Sequence, residues 1–282
     1  MKGLTVMNIG IVGLGLIGGS MARAIKENTE HKVYAYDISQ SAMLAAKVMN
    51  TIDGELVDDN IGNCDIIILS LYPQATVDYV KANASAIKKG AIIIDCCGTK
   101  RYVCNELVSF AKENGFTFIG GHPMAGTQFW GFEHSRASLF KGASMIIAAQ
   151  GISDIKILET IKIFFISIGF TDITFTTPEE HDRIIAYTSQ LAHVVSNAYV
   201  KSPTALEHKG FSAGSYKDMT RVAKLNVDMW TELFIENGDN LSNEIDLLVK
   251  NLQQYSKAIK NKDAEKLSQL LEDGKETKKQ AG

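Results

Sequence analysis

The chain of 282 residues predicts an α/β domain with a doubly wound, Rossmann-type parallel sheet, followed by an all-helical domain. Three observations carry this reading. A glycine-rich turn joins an apolar strand to a helix near the N-terminus. Short apolar runs then alternate with helix-period segments as far as Phe175. From Thr177 onward the apolar residues recur only at helical spacing.

The first strand is marked by Ile9, Ile11 and Val12 and breaks at Gly13. From Leu16 onward, Met21, Ala22, Ala24 and Ile25 continue at helical spacing. Gly13, Gly15 and Gly18 fit the G-x-G-x-x-G pattern, and each has a physical task. Gly13 permits the tight turn, Gly15 lets a pyrophosphate approach the backbone, and Gly18 lets helix and strand pack closely. The helix start at Leu16 and Ile17 offers free N–H groups and the positive end of a dipole to phosphates. A second strand, Lys32 to Tyr36, ends in Asp37, which lies 24 positions after Gly13. An acid there is placed to accept hydrogen bonds from an adenosine ribose. It would repel a 2′-phosphate, and Ile38-Ser39-Gln40 supplies no arginine to receive one. The expected cofactor is NAD rather than NADP.

Ser39 then opens a helix through Ala42–Val48. Asp65 to Leu69 is a continuous apolar strand of the kind found in parallel sheets covered on both faces. It runs into Ser70-Leu71-Tyr72-Pro73, and a helix follows through Ala75–Ile87. The next strand is Ala91 to Asp95, leading to the loop Cys96–Lys100 and a helix through Val103–Lys112. Phe116 to Ile119 leads into a polar loop, Gly120–Thr127. Ser144–Ala149 is a strand, Ile155–Ile168 a helix, and Thr171–Phe175 a last strand. Ligands of open α/β sheets bind beyond the carboxyl ends of the strands. Ser70–Pro73, Cys96–Lys100 and Gly120–Thr127 all fall there, with Ser70 and Leu71 nearest the glycine loop.

Thr177 reads as a helix N-cap, Pro178 as the first helical residue and Glu180 as the partner in a capping box. The boundary is therefore expected near Thr176/Thr177, giving a nucleotide-binding domain over 1–176 and a helical domain over 177–282. Helices are predicted over Pro178–Val200, Asp218–Ala223, Met229–Glu236, Asn240–Lys260 and Asp263–Leu271. Gly274 reads as a stop, with a frayed charged tail beyond it. So thin a helical layer makes a small core, and a homodimer that pairs two such layers is expected.

A hydrophobic fraction of 45% with 22% charged residues is ordinary for a globular protein, and a net charge of −3 argues against a nucleic-acid surface. No apolar run is long enough to span a bilayer, and nothing resembles a signal peptide. Cys64, Cys96, Cys97 and Cys104 lack C-x-x-C spacing and read as reduced thiols, so the cytoplasm is the expected location.

Several residues could carry chemistry. His122, set between a glycine pair and Pro123, is a candidate for proton transfer near neutral pH. A structural histidine in a loop is the alternative. Gln190, His193 and Asn197 form one polar line on a helix, which often meets only water. Asp218 and Arg221 lie one turn apart, so Arg221 is either a surface ion pair or a fork for a substrate carboxylate. Cys96 or Cys97 could be a nucleophile, but no histidine lies near in sequence to activate one. The histidines show no short metal-ligand spacing.

Taken together, Gly13 to Ser20, Gly120 to Thr127 and Tyr216 to Ala223 with Met229-Trp230 resemble the prephenate dehydrogenase family, over nearly the whole chain. The resemblance implies oxidation of the prephenate ring carbinol with NAD and loss of carbon dioxide to give 4-hydroxyphenylpyruvate. It implies His122 as the catalytic histidine, Arg221 as the anchor for a substrate carboxylate and His193 as a second polar contact. Two departures stand out. Where the family often has Gly-Ser, this chain has Cys97-Gly98, leaving Thr99 or water to supply a hydroxyl. Where the family often has an acid after Gly126-Thr127, this chain has Gln128. Arogenate dehydrogenase, with the same chemistry on an amino analogue, is the nearest alternative. A β-hydroxyacid dehydrogenase is disfavoured by the absence of a Gly-x-Ser-Gly-Gly stretch. A non-catalytic NAD sensor would leave His122 and Arg221 without a task.

Overall fold

The computed structural model describes residues 5–282. The chain opens β1 (Asn8–Val12), α1 (Leu16–Asn28), β2 (Lys32–Tyr36), α2 (Gln40–Val48), β3 (Gly54–Glu55) and α3 (Asp58–Ile61). It continues with β4 (Ile66–Leu69), α4 (Pro73–Asn83), β5 (Ile92–Asp95), α5 (Arg101–Glu113) and β6 (Thr117–Pro123). β7 (Ser144–Ala148), α6 (Ile155–Ser167) and β8 (Asp172–Thr176) complete one sheet in the order β3-β2-β1-β4-β5-β6-β7-β8.

Strand side chains alternate between two helical layers, because successive residues point to opposite faces. Ile66 and Ile68 pack with Met21 of α1, Met43 of α2 and Phe164 of α6. Ile67 and Leu69 pack with Val77 and Val80 of α4 and Leu107 of α5. Both faces are buried, which is why these strands read as unbroken apolar runs. The register pairs Val12 with Tyr36 and with Leu69, and Leu69 with Asp95. Gly13, Asp37, Ser70 and Cys96 therefore leave the sheet at one edge. Strand order reverses between β1 and β4 there, the switch point where such sheets bind ligands.

The sequence predicts a parallel sheet, and the structure corrects this at one place: β6 and β7 run antiparallel. No crossover helix separates them. The connection Met124–Ala143 instead folds into two short 3₁₀ turns, Phe132–His134 and Ala137–Phe140, that pack on α1. Gly19 makes this contact possible, since a Cβ on it would fall 2.8 Å from Phe132. The chain thus returns to the edge it left and must run backwards. The segment Gly120 to Pro123 is also corrected, from loop to strand. A Cβ at Gly121 would lie 2.4 Å from the Asp95 carbonyl oxygen, so the glycines allow close strand packing rather than a turn.

Every element after β8 is helical: α7 (Pro178–Ile185), α8 (Leu191–Tyr199), α9 (Gly214–Thr220), α10 (Val227–Glu236), α11 (Gly238–Lys260) and α12 (Ala264–Ala281). The Thr177 side chain accepts from the Glu180 N–H at 3.2 Å, while the Glu180 carboxylate takes its bond from Thr176 instead of closing the box. The single helix expected over Pro178–Val200 is interrupted by a π turn at Ala186–Gln190. Gly274 is no stop, and the tail is not frayed: α12 runs on to Ala281, tied to α11 by Tyr255, whose hydroxyl donates to the Leu270 carbonyl at 3.0 Å. Among the described residues no helix is long and apolar enough to cross a membrane.

Candidate functional site

The glycine turn matches its geometry to a dinucleotide. Gly13 has φ +89°, and a Cβ there would collide with the Ser70 carbonyl oxygen at 2.5 Å. A Cβ at Gly18 would stand 1.9 Å from the Gly13 carbonyl oxygen. Gly15, by contrast, faces open space. It is the N-cap of α1 and offers no side-chain cap, so the first N–H groups of that helix at Leu16 and Ile17 face outward unpaired by a cap. Asp37 stands over this turn, accepting from the Leu14 N–H at 2.6 Å and the Ser39 N–H at 2.7 Å. A carboxylate has further lone pairs for a ribose. Among the described residues the Ser70 hydroxyl is buried at the same edge without a partner in bonding geometry, with the Cys96 thiol beside it. Leu71 reaches over Gly13 from the other side, 3.1 Å from the Cβ that Gly13 lacks.

Around β5 lies a buried ionic node. Asp95 accepts from the Cys97 N–H at 2.9 Å, from the Gly121 N–H at 3.0 Å and from the Lys100 ammonium. Both side chains are fully buried. Burial works against the Lys100 charge, but the Asp95 charge, the nearby Cys97 and Cys104 and the hydrogen bond to Asp95 together outweigh it and raise the Lys100 pKa.

His122 sits beside this node on β6, partly exposed. Its Nδ1 is 2.8 Å from Nε2 of His181, and Nδ1 of His181 is 2.7 Å from the Asp182 carboxylate. Asp182 also accepts from the Lys100 N–H at 2.7 Å and the Arg101 N–H at 2.9 Å. Burial works against the Asp182 charge, but these bonds outweigh it and hold its pKa below the usual carboxylate range. Burial, then the His181 and Lys100 neighbours, push His122 well below the ordinary imidazole value. It is therefore a neutral base at neutral pH and titrates lower than its residue type suggests.

His181 and Asp182 were not singled out in the sequence. In Glu179-Glu180-His181-Asp182 they read as part of a first helical turn. The available signal was a polar pair, His181 and Asp182, three and four residues after the proline that starts the helix.

The remaining sequence candidates are dispersed. Thr99 is buried and gives its hydroxyl to Glu236 of α10. Burial beside Glu232 and Asp182 pushes Glu236 up to about 7. A Cβ at Gly98 would fall 3.0 Å from Leu233, so that leucine fills the place a serine side chain would take. Gln128 is exposed, in a segment with Phe129 and Trp130. Gln190 does not meet water. It is buried, donating to the Leu233 carbonyl at 3.0 Å and accepting from Asn237 at 2.7 Å. His193 stacks on Trp230 with ring centroids 3.8 Å apart. Burial and the nearby Arg221 charge lower its pKa. Arg221 is exposed and, among the described residues, forms no ion pair with Asp218. Arg221, His193 and Trp230 are thus together, while no hydrogen bond or ring contact among the described residues joins them to His122. A groove of about 360 Å³ opens beside them, walled by Val194, Asn197, Trp230 and Phe234 and by no residue of the sheet. Burial pushes the Cys96 thiol up to about 12 and Cys97 well above its ordinary value, so neither is a thiolate nucleophile near neutrality.

The prephenate dehydrogenase nucleotide-binding domain matches residues 21–171, and the prephenate dehydrogenase dimerization domain matches 177–273. The chain is 30% identical to a cyclohexadienyl dehydrogenase of Zymomonas mobilis, covering 96% of this chain and 94% of that one. It is 29% identical to a prephenate dehydrogenase of Bacillus subtilis, covering 94% and 74%. Among solved structures, Aquifex aeolicus prephenate dehydrogenase in complex with hydroxyphenyl propionate and NAD+ superposes with a TM-score of 0.87 at 28% identity, over 100% of both chains.

Proposed function

The chain belongs to the prephenate dehydrogenase family, and from that premise we propose that it oxidises prephenate with NAD, releasing carbon dioxide and forming 4-hydroxyphenylpyruvate. The observation that carries this reading is His122, neutral and partly open, at the sheet edge that also holds the glycine turn. The residues present fit NAD. The uncapped start of α1 and the open face of Gly15 suit a pyrophosphate, Asp37 suits the adenosine ribose, and the unpaired Ser70 hydroxyl is a donor awaiting a ligand.

When bound, NAD supplies the hydride acceptor. His122 then has two tasks. It accepts a hydrogen bond from the ring hydroxyl and takes that proton as the C–H bond at the same carbon breaks. A base with a low pKa is present in its active form across the neutral range. Arg221 is assigned to a substrate carboxylate, since its guanidinium is exposed and a planar fork suits that group. His193, held against Trp230, is assigned to the same substrate. Thr99, buried with its hydroxyl given to Glu236, acts through that bond, and the exposed Gln128 is assigned to the substrate as a polar contact.

The helical domain carries the apolar surface of a homodimer. Leu206, Phe211 and Ile235 are 91%, 93% and 78% exposed, on the part of the chain that matches a dimerization domain. Four free cysteines suit a reducing compartment such as the cytoplasm.

Relatives named for prephenate and for cyclohexadienyl substrates resemble the chain about equally, so arogenate is the competing substrate. Steady-state rates of nicotinamide reduction with each acid, and with NAD and NADP, decide the matter. A higher kcat/KM for prephenate with NAD is expected. Turnover of arogenate alone would overturn the substrate assignment, and no turnover of either would overturn the activity.

A further inference from the structure

We propose that His181 and Asp182 are positioning residues that hold His122 in the tautomer with a bare Nε2 and take up part of its charge when it gains a proton. The inference rests on His122 as the base. Its own support is the unbroken line from His122 through His181 to Asp182, with steps of 2.8 and 2.7 Å.

The direction of each bond is forced from the far end. Asp182 accepts from the backbone N–H groups of Lys100 and Arg101 and from the Arg101 guanidinium at 3.3 Å. With that many donors aimed at it, it is a carboxylate and has no proton to offer. Nδ1 of His181 must therefore carry the proton of their shared bond. A neutral His181 then has only a lone pair on Nε2, so the partner atom, Nδ1 of His122, must be the donor. That leaves Nε2 of His122 unprotonated. Among the described residues no protein group bonds this nitrogen, so it is left for the substrate. His181 is only 2% exposed, so little water competes for the line.

The charged neighbours fit the second half of the inference. Lys100 faces both histidines and opposes a positive charge on either, whereas Asp182 and Asp95 favour one on His181. Arg101, turned toward Asp182, Asn237 and Asp239, closes the far side. In the reaction the hydroxyl O–H bond breaks and its proton forms a bond to Nε2 of His122. The proton on Nδ1 of His122 moves toward Nε2 of His181, while Nδ1 of His181 keeps its own proton and goes on donating it to the Asp182 carboxylate. One proton enters the line, and the cation it creates is shared next to the two carboxylates.

Asp182→Asn tests this directly. The amide can turn its NH₂ to Nδ1 of His181, which reverses both rings and places a proton on Nε2 of His122. We expect kcat to fall roughly 10²–10⁴-fold with KM for prephenate little changed, and the thermal midpoint to fall as well, because the NH₂ turned to His181 also faces the Lys100 N–H that the same Asp182 oxygen accepts. Asp182 also holds two backbone N–H groups, so a second variant guards against misfolding. His181→Gln keeps an acceptor for the His122 proton but cannot carry charge, and its kcat should fall between wild type and Asp182→Asn. Nitrogen-15 NMR of the resting wild-type enzyme should show Nε2 of His122 unprotonated and Nδ1 protonated. The reverse tautomer would overturn the proposal. So would wild-type kcat and an unmoved acid limb in His181→Gln. The NMR result needs no turnover, and His122→Asn separately tests His122 as the base, so the two failures are distinguishable.

Discussion

Lys100→Met should be among the most damaging single changes outside the apolar core. The methionine keeps most of the volume of the side chain and removes its charge. Asp95 would then be a carboxylate with no exposure to water and only two partners, the N–H groups of Cys97 and Gly121. Removing one partner of a buried pair costs about 3–5 kcal/mol, because the other charge is left uncompensated. In chains of roughly this size, each kcal/mol lowers the thermal midpoint by about 2–4 °C. A fall of about 6–20 °C is expected, read by far-ultraviolet circular dichroism at neutral pH. The double variant Asp95→Asn/Lys100→Met removes both charges and leaves an amide oxygen for one N–H, so it should recover much of the loss. A Lys100→Met midpoint within about 2 °C of wild type, or strict additivity of the two changes, would refute the claim that this pair is energetically coupled.

Three further outcomes follow from the geometry. Glu236 has its pKa raised from 4.5 to about 7, so its stabilising contribution is full below 4.5 and lost as pH rises through 7. Glu236→Gln keeps an acceptor for Thr99 and should stabilise the protein at pH 8 by on the order of 1 kcal/mol, discounted for partial exposure, and hardly at pH 5; equal effects in urea titrations at both values would contradict this. Asp37→Ser combined with Ile38→Arg should raise the kcat/KM ratio of NADP to NAD, since it removes the charge facing the 2′-position and supplies a phosphate partner; an unchanged ratio would remove Asp37 from the ribose. Arg221→Gln should raise KM for prephenate by roughly 10- to 100-fold with little change in kcat, the loss of about one charge-assisted bond. Unchanged KM would return Arg221 to the surface.

The strands and most helices were legible because both sheet faces are covered, and a run such as Ile66 to Leu69 can be little else. The glycine turn and Asp37 were legible because their spacing is local. What the sequence concealed was long-range. Nothing near Ser144 tells that β7 runs backwards, since that follows from a connection folding onto Gly19. Gly120-Gly121 reads as a turn until Asp95 is seen to occupy the space of a Cβ. His181 is 59 residues from His122, and no periodicity links a strand position to the first turn of a later helix. The Lys100–Asp95 pair was hidden for a different reason, since a lysine after a strand usually lies in solvent. Gln190 misled because an amide on a helix is buried only when each polar atom finds a partner, and Leu233 of α10 and Asn237, between α10 and α11, supply them.

The most direct test of the account is the pH dependence of kcat/KM for prephenate in wild type and His122→Asn, with substrate affinity measured alongside. Folded His122 titrates well below 6.5, so wild-type activity should stay on its plateau at neutrality and decline only on the acid side of that value. His122→Asn should bind prephenate with near-normal affinity, lose roughly 10²–10⁴ in kcat and show no such acid limb. A variant that keeps most of its turnover, or one whose acid limb matches that of wild type, would contradict His122 as the group that takes the proton.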